Sequence, residues 1–181
     1  MKTRIILPDT DGISEAGAIL RSGGLVAFPT ETVYGLGANA LDATATKHIY
    51  EAKGRPSDNP MIVHVASIDM LNGVASGVTD AQKAIMSKLW PGPITFVLHK
   101  NPAVPDVTTG GLDTVAVRWP SRREAAEIIE AAGVPIAAPS ANISGKPSPT
   151  TFEDVAEDMD GRIDAIVKGE RTAIGIESTV L

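Results

Sequence analysis

The chain contains no cysteine, which removes disulfides, thiolate zinc sites and cysteine nucleophiles from consideration. Its three histidines, His48, His64 and His99, stand far apart with no metal-ligand spacing, so no metal held by protein side chains is expected. Aromatic residues are scarce, with two Trp, two Tyr and three Phe in 181 residues, too few for a platform on which nucleic-acid bases stack. No run approaches the roughly 18 apolar residues that a membrane span needs. The opening stretch Ile5-Ile6-Leu7 stops at Pro8 and is too short for a signal peptide, so cytoplasmic residence without a membrane partner is expected.

What is present suits one soluble domain. The composition is 43% apolar, enough for a core at this length. A net charge of -6 argues against nonspecific nucleic-acid binding, because Lys and Arg on phosphates supply most of that affinity. An RNA-binding module is thereby disfavoured, and any contact with RNA is expected to be weak or indirect. The charge is unevenly spread. Residues 118–123 hold Arg118, Arg122 and Arg123 with no acid, and a positive site can sit inside an acidic protein.

Apolar runs of four or five residues alternate with helical stretches. Strands are expected near 4–7, 25–28, 61–65, 94–98, 114–118, 135–138, 163–167 and 176–180, and helices near 12–22, 43–53, 80–89, 122–132 and 152–159. Thr79 with Gln82 and Ser121 with Glu124 have capping-box spacing. Gly23, Gly54 and Gly133 stand where left-handed C-terminal caps belong. Residues 94–98 and 114–118 are joined by a stretch without helical pattern, 101–113, so the sheet should be mixed rather than purely parallel.

The organising stretch runs from Gly23 to Pro60. An apolar run, Leu25 to Phe28, stops at Pro29 and opens into the polar turn Thr30-Glu31-Thr32-Val33-Tyr34-Gly35. A short helix follows and ends in Lys53-Gly54-Arg55, with Pro56, Asn59 and Pro60 fixing the loop behind it. Two cations at a helix C-terminus can serve simply to complement its dipole. A rigid loop directly behind them points instead to an anion pocket. The hexapeptide Gly35 to Ala40 matches a dinucleotide fingerprint in letters only, because the polar turn separates it from the strand and no acid ends the next one. Ser140, Asn142, Ser144, Lys146 and Ser148 follow the strand at 135–138, at the end where open α/β sheets bind ligands. That loop lacks a nucleophile elbow, and its hydroxyls, amide and lysine suit phosphate and ribose oxygens.

Six motifs in order carry a resemblance: Phe28-Pro29-Thr30-Glu31-Thr32-Val33-Tyr34-Gly35-Leu36, Lys53-Gly54-Arg55-Pro56 with Asn59-Pro60, Leu89-Trp90-Pro91-Gly92-Pro93, Val117-Arg118-Trp119-Pro120, Ala138 to Gly145, and Ser178-Thr179-Val180. Together they resemble the threonylcarbamoyl-AMP synthases, the YrdC-like family. The resemblance implies a single-domain α/β fold, a twisted open mixed sheet with flanking helices around a deep basic cavity. It implies a nucleotidyltransferase that joins L-threonine, bicarbonate and ATP, with magnesium on the nucleotide, into threonylcarbamoyl-AMP and pyrophosphate. The product would pass to the threonylcarbamoyl transferase complex that makes t6A in tRNA. By the family's pattern Thr32, His64, Arg118, Ala138 and Ser178 would contact threonine. Lys53, Arg55, Asn59, Thr114, Ser140, Asn142 and Ser148 would hold ATP, with Lys53 and Arg55 also catalytic through charge neutralisation.

Residues 1–181 are expected to be one YrdC-like catalytic domain, cut short at its C-terminus where family members continue. The related carbamoyltransferase domain of hydrogenase maturation is a further alternative, but it stands beside cysteine-rich zinc modules, of which this sequence carries no trace.

Overall fold

The structure, a computed structural model, describes residues 2–56 and 58–181. Ser57, in the loop behind the two cations, lies outside the described residues. In chain order the elements are β1 (Arg4–Ile6), α1 (Thr10–Arg21), β2 (Val26–Pro29), β3 (Tyr34–Asn39), α2 (Ala43–Lys53), β4 (Ile62–His64), α3 (Ile68–Val74), α4 (Asp80–Leu89), β5 (Ile94–His99), α5 (Asp106–Thr109), β6 (Thr114–Arg118), α6 (Arg123–Ala132), β7 (Ile136–Ala137), α7 (Phe152–Met159), β8 (Ala165–Val167) and β9 (Thr179–Val180).

The strands make one sheet in the order β1-β8-β2-β3-β7-β4-β6-β5-β9. It is mixed, as the sequence anticipates. Parallel pairs are β1/β8, β2/β8, β4/β6 and β5/β9, and antiparallel pairs are β2/β3, β3/β7, β4/β7 and β5/β6. Residues 30–33 are all that join β2 to β3. A parallel neighbour needs a crossover of a dozen residues or more, so this turn forces an antiparallel pair.

Successive residues of a strand face opposite ways, and β2 divides its side chains accordingly. Val26 and Phe28 join Leu20, Ile128 and Ile129 of α1 and α6 on one face, whereas Ala27 joins Ile49, Met86 and Met159 of α2, α4 and α7 on the other. The sheet thus lies between two helical layers, and the ends of its strands are left to build a site.

Several elements differ from the sequence reading. β3 was expected as part of the polar turn, because its two glycines weaken any strand pattern. Gly37 is there for lack of space: a Cβ would come 2.7 Å from the Phe28 ring and 3.0 Å from Ile136. α3 starts on a Ser67 cap that accepts from Met70 N–H, and α5 interrupts the expected loop 101–113. The Thr79–Gln82 capping box forms. The Ser121–Glu124 box does not: α6 begins after Arg122 without a side-chain cap. Both Glu124 oxygens instead accept from the Arg122 guanidinium at 3.2 Å, a bidentate charged pair that outcompetes a single backbone N–H. α7 carries a box the sequence reading missed, Thr151 with Asp154. Gly54 and Gly133 take the left-handed conformation as C-caps, while Gly23 takes a positive φ one residue beyond the Ser22 cap.

Candidate active site

The turn between β2 and β3 is built by its threonines. Thr30 Oγ1 donates to Val33 O at 2.7 Å and accepts from Thr32 N at 3.2 Å, which folds the polar residues back over the strand end. Thr30, Glu31 and Thr32 are all buried. Opposite this turn, the parallel register of β4 and β6 sets His64 beside Arg118 at the carboxyl ends of both strands. Two residues 54 positions apart thus become neighbours through strand pairing alone.

Arg118 reaches back into the turn. Its NH1 donates to Thr32 Oγ1 at 2.9 Å, and its NH2 lies 2.6 Å from Glu31 Oε1 as an ion pair. No N–H of that nitrogen is aimed along the contact, which leaves NH2 without an in-line acceptor in a buried position. Burial pushes the Glu31 carboxyl up, but the Arg118 charge in contact with it, together with backbone N–H groups, outweighs burial and holds Glu31 below the ordinary carboxylate range. The His64 ring is pushed down to about 3, first by burial and then by the Arg118 charge, and its Nδ1 has no partner among the described residues. A neutral imidazole and a half-satisfied guanidinium therefore face the same space.

That space is a cavity of about 60 Å³, lined in part by Thr32, His64, Arg118, Ala138, Ser140 and Ser178. All five residues expected at the amino acid thus share one cavity, and Ser140 of the nucleotide set joins them. The chain's last segment closes it. Ile174 N donates to Glu31 O at 3.0 Å and Gly175 N to Thr32 O at 2.9 Å, while the hydroxyls of Ser178 and Thr95 pair at 2.6 Å. Glu177 also lines the cavity, and its carboxylate accepts from the Ser148 hydroxyl. Sequence reasoning missed both Glu31 and Glu177. A buried Arg118 demands a counter-charge, but the sequence offers 22 acids to supply it and marks neither Glu31 nor Glu177.

The remaining nucleotide residues are spread more widely. Lys53, the last residue of α2, is 2% exposed, and its ammonium donates to Ser140 O and, at 2.7 Å, to Asn142 O. Asn142 Oδ1 lies 3.5 Å from it. The Asn142 amide is turned inward, donating to Ile143 O and Lys146 O. Asn59 and Thr114 lie near the amino ends of β4 and β6, since the Ile62–Ala116 pairing extended by two residues brings Thr114 beside Pro60. That is about 13 Å, four strand residues, from Arg118. Arg55 lines a separate hollow of about 390 Å³ with Lys47 and Tyr50. Among the described residues it makes no side-chain hydrogen bond or ion pair. Also among the described residues, no three metal-ligating side chains converge, and no helix is long and apolar enough to cross a membrane.

A family profile for Sua5, YciO and YrdC, described as telomere recombination, matches residues 18–181. The threonylcarbamoyl-AMP synthase of Pyrococcus abyssi is 57% identical over 92% of this chain and 49% of its own length. That of Bacillus subtilis is 55% identical over 93% of this chain and 49% of its own. The crystal structure of P. abyssi Sua5 complexed with L-threonine superposes with a TM-score of 0.94 at 53% identity, covering 99% of this chain and 54% of the other. The chain thus spans about half the length of these relatives. Profile, identity and superposition agree over nearly all of the described fold, and the chain belongs to the Sua5, YciO and YrdC family.

Proposed function

We propose that this chain is the catalytic part of a threonylcarbamoyl-AMP synthase, a nucleotidyltransferase acting on L-threonine, bicarbonate and ATP. The observation that carries the reading is the convergence of Thr32, His64, Arg118, Ala138 and Ser178, from five separate segments, on one cavity. The same fold in P. abyssi Sua5 was crystallised with L-threonine. In this reading the Arg118 NH2, ion-paired with Glu31 but without an in-line acceptor, takes a carboxylate oxygen, and Thr32 and Ser178 offer hydroxyls. His64, kept neutral by burial, adds a hydrogen bond without adding charge.

The threonine amine and bicarbonate give a carbamate and water. A carbamate oxygen then attacks the α-phosphorus of ATP while the bond to pyrophosphate breaks. A carbamate is a weak nucleophile meeting a polyanion, so the protein's contribution is to hold both close and to offset charge, without a base of its own. Arg55, Asn59, Thr114, Ser140, Asn142 and Ser148 are read as the nucleotide side, and magnesium as arriving on the phosphates. The product would pass to a transferase that modifies tRNA. With ATP, magnesium, threonine and bicarbonate, pyrophosphate release should require both threonine and bicarbonate, and mass spectrometry should detect the adduct. Release that ignores either one would overturn the assignment.

A further inference from the structure

Lys53 is placed unlike a phosphate ligand. An ammonium has three N–H groups, and around Nζ stand three protein oxygens: Ser140 O, Asn142 O and Asn142 Oδ1. Its own carbonyl accepts from Ser144 N at 2.9 Å, so side chain and backbone both grip the same loop. From the other side β3 holds that loop, with Leu36 N donating to Pro139 O at 2.7 Å and Ala141 N to Tyr34 O at 2.9 Å. The carbonyls of Ser140 and Asn142 point toward one spot. Without a cation between them they would repel each other, and the buried Asn142 carbonyl would lie without a donor. Arg55, two residues on and past the left-handed Gly54, is half-buried and makes no such commitment among the described residues.

We infer that Lys53 is a positioning residue, a strut whose ammonium gathers the carbonyls of Ser140 and Asn142 and so sets the loop that presents Ser140 to the nucleotide, while Arg55 is the cation that the phosphates meet. The inference rests on the reading that this site takes ATP. It separates two roles that the spacing Lys-Gly-Arg merges. A strut supports the whole nucleotide, whereas a phosphate ligand supports only its charged tail.

ATP and adenosine distinguish the two. Each is titrated by calorimetry into the wild-type chain, Lys53→Met and Arg55→Ala. Lys53→Met should weaken both ligands by the same factor, about ten- to hundredfold, leaving their affinity ratio within about threefold. Arg55→Ala should weaken ATP by about tenfold or more and leave adenosine unchanged. A Lys53→Met loss confined to ATP, or no loss for either ligand, overturns the strut. A second measurement does not depend on the variant folding: in wild-type protein carrying ¹³C-labelled lysine, ATP should raise the Lys53 titration midpoint by well under about one unit, the part that comes from phosphates offsetting the nearby Arg55 charge. A rise of about one unit or more, the mark of phosphates beside the ammonium, overturns the strut equally. If the wild-type chain binds neither ligand, it is the nucleotide reading that falls, and the strut with it.

Discussion

Arg118 and Lys53 are both cations taken almost wholly out of water, 3% and 2% exposed, but they are satisfied in different ways. Arg118 faces a carboxylate, Glu31, at 2.6 Å. Among the described residues, the hydrogen-bond acceptors around Lys53 are all neutral oxygens, two carbonyls and an amide. The first arrangement is a charge pair, in which each member is costly to bury alone. The second is a lone charge among dipoles, so burial, followed by the nearby Arg55 charge, pushes the Lys53 ammonium down to about 8. One end of the site should therefore be sensitive to losing a partner and the other to gaining or losing a proton.

The largest effect expected from this difference is at Glu31. Glu31→Ala leaves the Arg118 guanidinium buried without a counter-charge, which costs about 3–5 kcal/mol. Denaturant unfolding should show this as a lower midpoint with little change in slope. Glu31 also anchors the closing segment through its carbonyl, but that bond is to the backbone and survives the substitution. A loss under about 1 kcal/mol would place the pair among weak, solvent-screened ones and remove the contrast with Lys53.

Arg118→Lys tests the same pair from the ligand side, with a smaller effect. A planar fork can serve Thr32, Glu31 and an incoming carboxylate together, whereas an ammonium is a single strongly hydrated point. Threonine affinity should fall by about 1.5–3 kcal/mol, roughly ten- to hundredfold. ATP affinity measured without threonine should stay within about threefold. Equal losses for both ligands, or none, would return Arg118 to a structural role.

This contrast also marks what could be read in advance. The Lys-Gly-Arg spacing, the polar turn after Phe28 and the apolar strand ending in Arg118 are local patterns, and each lies where the sequence put it. Glu31 reads in sequence as one more polar residue in a turn; only the register of β4 and β6 and the fold-back of the threonine turn bring it against Arg118. Lys53 shows the same limit from the other direction. Its position at a helix end is evident from the capping glycine, but the partners of its ammonium lie 87 and 89 residues away. β3 escaped notice because Gly35 and Gly37 answer to neighbouring side chains, Ala138 for one and Phe28 with Ile136 for the other, and not to strand propensity.

The smallest effect concerns the proton on Lys53, and its sign follows from the direction of the shift. In the folded chain the ammonium is pushed down to about 8, against an ordinary value of 10.5. Below 8 both folded and unfolded chains carry the proton, and the folded one bears the full cost of burying the charge. Between these two values the unfolded chain keeps its proton while the folded chain sheds it, so raising the pH favours folding. Between pH 7.5 and 9.0 this one group should add about 1 kcal/mol to unfolding free energy. Other titrating groups contribute to the same interval, so the quantity to compare is the difference in pH slope between the wild-type chain and Lys53→Met. Glu31 contributes nothing there, because its value is held below the carboxylate range and it is ionised in both states. A wild-type slope no steeper than that of Lys53→Met would mean that the ammonium keeps its proton throughout, and that three neutral oxygens hold a buried charge as firmly as the Glu31 carboxylate does.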